Sequence, residues 1–565
     1  MWTQNYIPIS GSLGLSALAA SLPVFVRLFL IGVKRKPAWI SALSGLAAAM
    51  VVALAVYRMP AGLMLSSTAY GALFGLFPIG WIVYWAIVLY RITVETGKFE
   101  VIKDSIGGLT DDRRLQALLI AFAFGAFIEG AAGFGTPVAV AAAMLAGLGF
   151  SPYYAAGICL LANTAPVAFG SIGIPVVTLA RITGLQEAGL SAWVGRICAP
   201  VSLFVPAYLI MVMGGWRALG GVLPAAALCG IVFASVQFLV SNYIGPQLTD
   251  ILAAIAAIVA LAALLRIWKP KDKFELEGDR EQTKPHRHRA GELILAWSPY
   301  LFLVFFVLLS GLSGNTPIKN ALRTTPLAFL ATGFDHVNNL FVATTWKFNW
   351  PNLAGLVYQV PPVAAVAGPY AADQTAYTFN FLSASGSACL MATLASMFAL
   401  RLSPGRYVGI LFATGKQLFA SMVTIAAVLG LAFVLNFCGA TATMGLAFAA
   451  TGAVFPFFSS LLGWLGVFLT GSDTSANALF GNLQVVTAKT LHFNPYVMAG
   501  ANSAGGVMGK MISLQSIAVA AAATSMAPAD EGRLFRFTLR HSIFLAAVVG
   551  LIVIFYSYIA PQLAP

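Results

Sequence analysis

Residues 116–150 read QALLIAFAFGAFIEGAAGFGTPVAVAAAMLAGLGF, two apolar arms of roughly one membrane span each around a centre of Glu129, Gly130, Gly133, Gly135, Thr136 and Pro137. Nothing in that centre reads as an aqueous loop. Glycine and proline interrupt a helix at such a position, and the backbone groups they free need partners in protein or in a water-lined cavity. Either both arms cross fully, or they form a re-entrant hairpin whose tip stops near the midplane. The apolar tip and short arms favour re-entry.

Segment 442–491 holds a counterpart, GWLGVFLTGSDTSANALFGNLQ at 463–484, again two apolar arms around a polar break at Gly471, Ser472, Asp473, Thr474, Ser475 and Asn477. Gly133, Gly135 and Thr136 align with Gly471, Asp473 and Thr474 at an offset of 338. Downstream, Ala162-Asn163-Thr164-Ala165 matches Ala501-Asn502-Ser503-Ala504 at an offset of 339, and each is expected to open a broken helix. Two motif pairs in one order at one offset, approached from opposite faces, are what an inverted repeat predicts, with the site where the repeats meet.

The rest of the chain supports a membrane setting. Of 565 residues 59% are hydrophobic and 9% charged, whereas soluble domains carry about 25% charged residues. A water-soluble enzyme is therefore disfavoured. The net charge of +13 needs no nucleic acid, because basic residues gather in the cytoplasmic loops that orient a membrane protein. Five cysteines in apolar surroundings, with no CxxC spacing, read as small core residues rather than disulfide or metal partners. The N-terminal MWTQNYIPIS has no basic region and no cleavage signal, so the first apolar stretch reads as an uncleaved span.

Charges punctuate twelve full spans near 12–33, 37–57, 68–92, 154–178, 192–214, 221–242, 249–267, 293–312, 376–400, 415–438, 495–520 and 541–559. With these spans Lys34-Arg35-Lys36, Lys98, Lys103, Arg113, Arg114, the 268–290 loop, Arg401, Arg406, Arg533, Arg536 and Arg540 all fall on one side, taken as cytoplasmic. The loop KPKDKFELEGDREQTKPHRHR divides the list, giving a first half at 1–267 with hairpin 116–150 and a second at 291–565 with hairpin 442–491. His286 and His288 in that loop could bind a metal, but a solvated orienting loop accounts for them. Segment 313–350 falls outside, with no role legible.

Charged groups inside a membrane are the sharpest functional signal, since each costs about 2.5–3.5 kcal/mol even on insertion scales. Glu129 is the only charged residue between Arg114 and Arg181, Asp473 the only one between Lys416 and Lys489, and Lys510 the only one between Lys489 and Asp530. An acid in each half suits a proton, and an ammonium suits an anion. Half-helix ends near Gly133–Thr136 and Gly471–Thr474 expose N–H groups that bind a carboxylate, with Asn163, Thr164, Ser472, Asn502 and Ser503 as further polar contacts. Such small polar side chains also tie helices together throughout membrane bundles. Asp373 reads as interfacial, and Arg181, Arg196 and Lys489 as snorkelling near span ends.

The run Glu129-Gly-Ala-Ala-Gly-Phe-Gly-Thr-Pro-Val-Ala139, with Ala162-Asn-Thr-Ala-Pro166, GSDTSANALFGNLQ at 471–484 and ANSAGGVMGKMISLQSIA at 501–518, resembles the bacterial L-lactate permease family over the whole chain. The resemblance implies a multi-pass protein of the cytoplasmic (inner) membrane that imports L-lactate, D-lactate and glycolate with protons, within a group of transporters built from inverted repeats and re-entrant hairpins. It assigns no residue roles.

The expected fold is therefore an all-α polytopic membrane protein with about twelve full transmembrane helices and two re-entrant helical hairpins, an inverted-repeat transporter. The expected function is secondary transport. No nucleotide-binding motif suggests direct ATP use, and no HExxH, GxSxG or paired catalytic aspartates suggest an intramembrane enzyme. An ion channel would pass its ion without accumulating it. Lys510 and the half-helix ends are expected to hold the carboxylate, with Asn163 and Asn502 on hydroxyl or carboxylate. Glu129 and Asp473 are the proton-carrier candidates, because burial favours the neutral form of a carboxyl. The alternative is a sodium-coupled or proton-coupled carrier of another short monocarboxylate. Partners are the small substrate, H+ and membrane lipid. No cofactor, metal or nucleic acid is expected, and oligomeric state is not legible.

Overall fold

The computed structural model describes residues 1–133, 135–272, 274, 288–313, 319–320, 323–325, 328–364 and 366–561. His286, most of the 268–290 loop and the side chain of Asp373 lie outside the described residues. Among those described, eleven helical stretches are long and apolar enough to cross a membrane, or twelve if the bent pair Pro152–Ala162 and Val167–Thr183 is one span. The protein is an all-α, multi-pass membrane protein.

Ten helices position the site: α1 (Leu13–Gly32), α2 (Arg113–Ala131), α3 (Thr136–Gly147), α4 (Pro152–Ala162), α5 (Gly170–Thr183), α6 (Thr249–Ile267), α7 (Phe455–Thr470), α8 (Asp473–Thr490), α9 (Pro495–Lys510) and α10 (Leu514–Ala523). Helices α2 and α3 are the arms of the first expected hairpin, α7 and α8 those of the second. Both turns depend on glycine: Gly133 (φ 58), Gly135 (φ 84) and Gly471 (φ 71) occupy the left-handed region that a side chain disfavours. At about 1.5 Å per residue the 12 residues of α3 extend about 18 Å, short of the ~30 Å hydrocarbon core. The two ends of this hairpin meet, since Arg113 Nη1 donates to Leu148 O at 2.7 Å.

The basic side is tied together as the loop charges predict. Arg114 donates to Asp272 at 2.7 Å, and His288 Nε2 lies 2.9 Å from Asp104. The expected spans 192–214 and 221–242 are two arms of one long element, Glu187–Tyr243, that turns at Gly214, Gly215 and Val222. Ser191 Oγ donating to Ser241 O at 2.8 Å closes that pair.

Three expectations need correction. Segment 376–400 is not a span: it begins as a strand, Ala376–Phe379, and continues as the 15-residue helix Ser385–Ala399, about 22 Å long. The strand forms because Trp346–Asn349, in the segment whose role was not legible, pairs with it antiparallel. Aromatic and β-branched side chains suit such a ladder. Second, the two broken helices break differently. Asn163 caps the end of α4, where Pro166 removes a backbone donor, and the pair α4 and α5 bends by 64°. In the second half Asn502 and Ser503 lie inside α9, which runs on to Lys510 before breaking, because the sequence there offers glycines but no proline. Third, Arg181 does not snorkel: its guanidinium donates to Tyr70 Oη and Ala376 O, each at 2.8 Å.

Glycines also set how closely the second hairpin is packed. A Cβ on Gly463 would lie 1.8 Å from Asn502 O, and one on Gly505 2.0 Å from Ser460 O. Helices α7 and α9 thus meet backbone to backbone, the small-residue contact of membrane helices.

Candidate functional site

A cavity of about 140 Å³ lies among these elements, about ten times the ~10–15 Å³ that one water requires. Its charged lining is Arg27, Glu129, Asp473 and Lys510, with Ser171, Ser472 and Thr474 among its polar groups. Its wall includes Ala38, two residues beyond Lys36, so the chamber reaches toward the face where the basic loops gather.

Asp473 opens α8 and is 3% exposed. Ser503 Oγ donates to its Oδ2 at 2.6 Å and Asn477 Nδ2 at 3.3 Å, while Oδ1 has no hydrogen-bond partner among the described residues. Glu129, in the last turns of α2, is 4% exposed and its Oε2 is likewise unpartnered. Each acid sits against a glycine of its own half. A Cβ on Gly170 would lie 2.5 Å from Glu129 Oε1, and one on Gly506 2.3 Å from Asp473 Oδ1. The same device in both halves leaves room for a carboxyl beside a helix backbone.

Two cations line the same cavity. Lys510 Nζ donates to Gly471 O at 2.6 Å and lies within electrostatic reach of both Glu129 and Asp473. Arg27, in the second half of apolar α1, is 1% exposed, and its Nε and Nη1 have no hydrogen-bond partner among the described residues. Neither cation forms an ion pair among the described residues. A buried guanidinium without an acid is costly, and a planar fork of donors matches a carboxylate. The arrangement can hold a small organic anion and exchange a proton beside it.

Comparison with known proteins gives this chemistry a family. The sequence model of the L-lactate permease family matches residues 16–560. The chain belongs to the L-lactate permease family. An L-lactate permease of Bacillus subtilis (strain 168) is 44% identical over 576 residues, covering 100% of both chains. The glycolate permease GlcA of Escherichia coli (strain K12) is 41% identical over 571 residues, 99% of this chain and 98% of its own. An L-lactate permease of Salmonella typhimurium is 42% identical over 574 residues, with 100% of both chains covered.

In this member of the L-lactate permease family the cavity gathers Glu129, Ser472, Asp473, Thr474 and Lys510 of the expected site residues. It does not gather the others. Thr136 lines a separate cavity with Arg91, Glu95 and Gln417. The space beside Gly133 is filled by Ser171, whose hydroxyl donates to Ala132 O at 3.0 Å, and Gly135 faces Val519. Thr164 donates back to Leu161 O. Asn502 is engaged at both amide atoms, donating to Asn477 Oδ1 at 2.9 Å and accepting from Gln484 at 3.1 Å. Asn502 and Ser503 therefore brace Asp473 and its helix from behind. Asn163 is buried beside Glu129.

Two charged residues escaped the sequence reading. Arg27 is the only charged residue before Lys34, so the test that singled out Glu129 applies to it equally. Asp250 stands at the expected start of the span 249–267, where a charge draws no notice. It is in fact buried, at 1% exposure.

Proposed function

We propose that the chain imports L-lactate, D-lactate and glycolate across the cytoplasmic membrane of a bacterium by proton symport. The observation that carries this reading is one chamber lined by two cations without ion-pair partners, Arg27 and Lys510, and by two buried acids, Glu129 and Asp473. Membership of a family whose relatives are named for lactate and glycolate supports the choice of substrates.

In this reading the substrate carboxylate sits between the Arg27 guanidinium and the Lys510 ammonium, and the Thr474 or Ser472 hydroxyl meets the 2-hydroxyl. Asp473, held by Ser503 at one oxygen, and Glu129 take up and release the proton. A carboxyl out of water favours its neutral form, so proton loading and anion loading reinforce each other. The cycle moves no net charge. The two-halves reading, with 1–267 and 291–565 as inverted repeats, is supported by positive-φ glycines at both turns and by the matching glycine beside each acid. The short α3 supports a re-entrant first hairpin.

The test is uptake of labelled lactate in a bacterial strain lacking its own carriers. Uptake abolished by a protonophore and competed by glycolate supports the reading. Uptake that survives the protonophore but needs sodium would replace the proton, and preferential competition by acetate or pyruvate would replace the substrate.

A further inference from the structure

Asp250 lies in the first turn of α6, and neither of its carboxylate oxygens has a hydrogen-bond partner among the described residues. It meets the helix that carries Glu129: a Cβ on Gly130 would lie 2.9 Å from Asp250 Cβ. The charged or titratable groups within its electrostatic reach are Glu129 from α2 and the Cys198 thiol from the helix Glu187–Tyr243. No ion pair among the described residues offsets it.

Two buried amides stand beside this pair. Asn163, at the break after α4, is 4% exposed and adjoins Glu129; Gln237 is fully buried and adjoins Asp250. Gln237 Nε2 donates to Ala165 O at 3.1 Å, which leaves its Oε1 unpartnered. The two acids and the two amides thus form one buried polar cluster. Lys510 reaches Glu129 but no cation reaches Asp250, and two neighbouring carboxylates with a single cation on one side resist both being ionised in a medium of low dielectric. One proton on the pair resolves this with one O–H bond.

We infer that Glu129 and Asp250 form a carboxyl pair that stores the proton for transport, with Asn163 and Gln237 orienting the two acids. This rests on the symport reading above and names a second acid for it. In loading, a hydronium ion gives a proton to one carboxylate oxygen, an O–H bond forms and water leaves. On release, the O–H bond breaks and the proton returns to water at the other face. With one proton on the pair and Asp473 ionised, the negative charges match Arg27 and Lys510. The empty site is then neutral, and so is the site holding lactate and a second proton. A sodium ion is the competing occupant, since the carboxylate and amide oxygens of this cluster suit one, and the sodium-gradient arm of the test distinguishes it from a proton.

The test uses the full chain in proteoliposomes, with an acid exterior driving labelled lactate inward and lactate counterflow measured in parallel. Asp250→Asn is expected to lower the ratio of pH-driven accumulation to counterflow by about tenfold or more, and Asp250→Glu to restore much of it. An unchanged ratio in Asp250→Asn overturns the pair. So does wild-type accumulation driven by a sodium gradient at equal pH and lost in Asp250→Asn. If Asp250→Asn does not assemble, infrared difference spectra of the wild type decide: a protonated-carboxyl band that titrates and vanishes in Glu129→Gln supports the pair, and no such band between about pH 5 and about pH 9 overturns it. Absence of lactate transport in the wild type would instead defeat the symport reading.

Discussion

The Ser503 hydroxyl donates to Asp473 Oδ2 across 2.6 Å, while Oδ1 of the same carboxylate has no partner. One oxygen is anchored to α9 and the other is left free on a cavity-lining residue, so the acid is fixed in place without being neutralised. Behind it, Asn477 reaches Pro175 O of the first half at 3.2 Å, so the anchor spans both halves.

Removing the anchor should therefore slow transport without removing the acid. A hydrogen bond to a charged group contributes about 1.5–3 kcal/mol, so Ser503→Ala is expected to lower the initial rate of labelled lactate uptake by roughly ten- to hundredfold. Asp473→Asn should abolish accumulation. Rates are compared at equal amounts of protein in the membrane, and a full-rate Ser503→Ala would remove the anchor from the account.

Arg27 offers a contrast between stability and function. Arg27→Met replaces a buried, unpartnered guanidinium by an apolar chain of similar reach and leaves no acid stranded. The variant should melt at a temperature equal to or above that of the wild type while losing most lactate affinity. Thermal unfolding in detergent and the KM for lactate are the two readouts. Lower stability with unchanged KM would mark Arg27 as a structural residue.

The glycine contacts of the second hairpin make a folding prediction. Gly463→Ala and Gly505→Ala each place a methyl group within about 2 Å of a backbone oxygen. Overpacking costs about 1–3 kcal/mol or more, so little of either variant should remain in the membrane. Gly147→Ala, where nothing lies within 4 Å of the new Cβ, is the matched control and should accumulate normally.

The two contacts that tie the basic loops respond oppositely to pH. The Arg114 guanidinium holds the Asp272 carboxyl below its ordinary range, so this contact stabilises the loop above about pH 4 and is lost as pH falls through the lowered value. Hydrogen bonding to Asp104 raises His288, so that contact is present below about pH 6.5 and is lost as pH rises through the raised value. A spin label introduced by Ala290→Cys should become more mobile on going from about pH 6 to about pH 9, whereas one introduced by Lys271→Cys should loosen only in acid. The five native cysteines are buried, which directs the label to the new site.

Much of this was legible in the sequence because the membrane makes some errors expensive. Glu129, Asp473 and Lys510 stood out as charges isolated in apolar text, and all three line one cavity. The glycine breaks were legible because glycine interrupts a helix and favours the positive φ that Gly133, Gly135 and Gly471 adopt. Which polar groups face the chamber was not legible. Asn502 and Thr474 look alike in sequence, and only packing decides that one is bonded at both ends while the other lines the cavity. Thr136 misled for the same reason: alignment with Thr474 fixes a place in the repeat but not the direction of a side chain. The strand Ala376–Phe379 escaped because its partner, Trp346–Asn349, lies about thirty residues away.

The central claim is that lactate and a proton travel together through the chamber bounded by Arg27, Glu129, Asp473 and Lys510. Its most direct test is labelled lactate accumulation in proteoliposomes containing a pH-sensitive dye, with an acid exterior and no sodium. The account expects lactate to concentrate inside while the interior acidifies in step, with both lost in Glu129→Gln. Lactate that equilibrates without concentrating, or that concentrates with no change of internal pH, would contradict it.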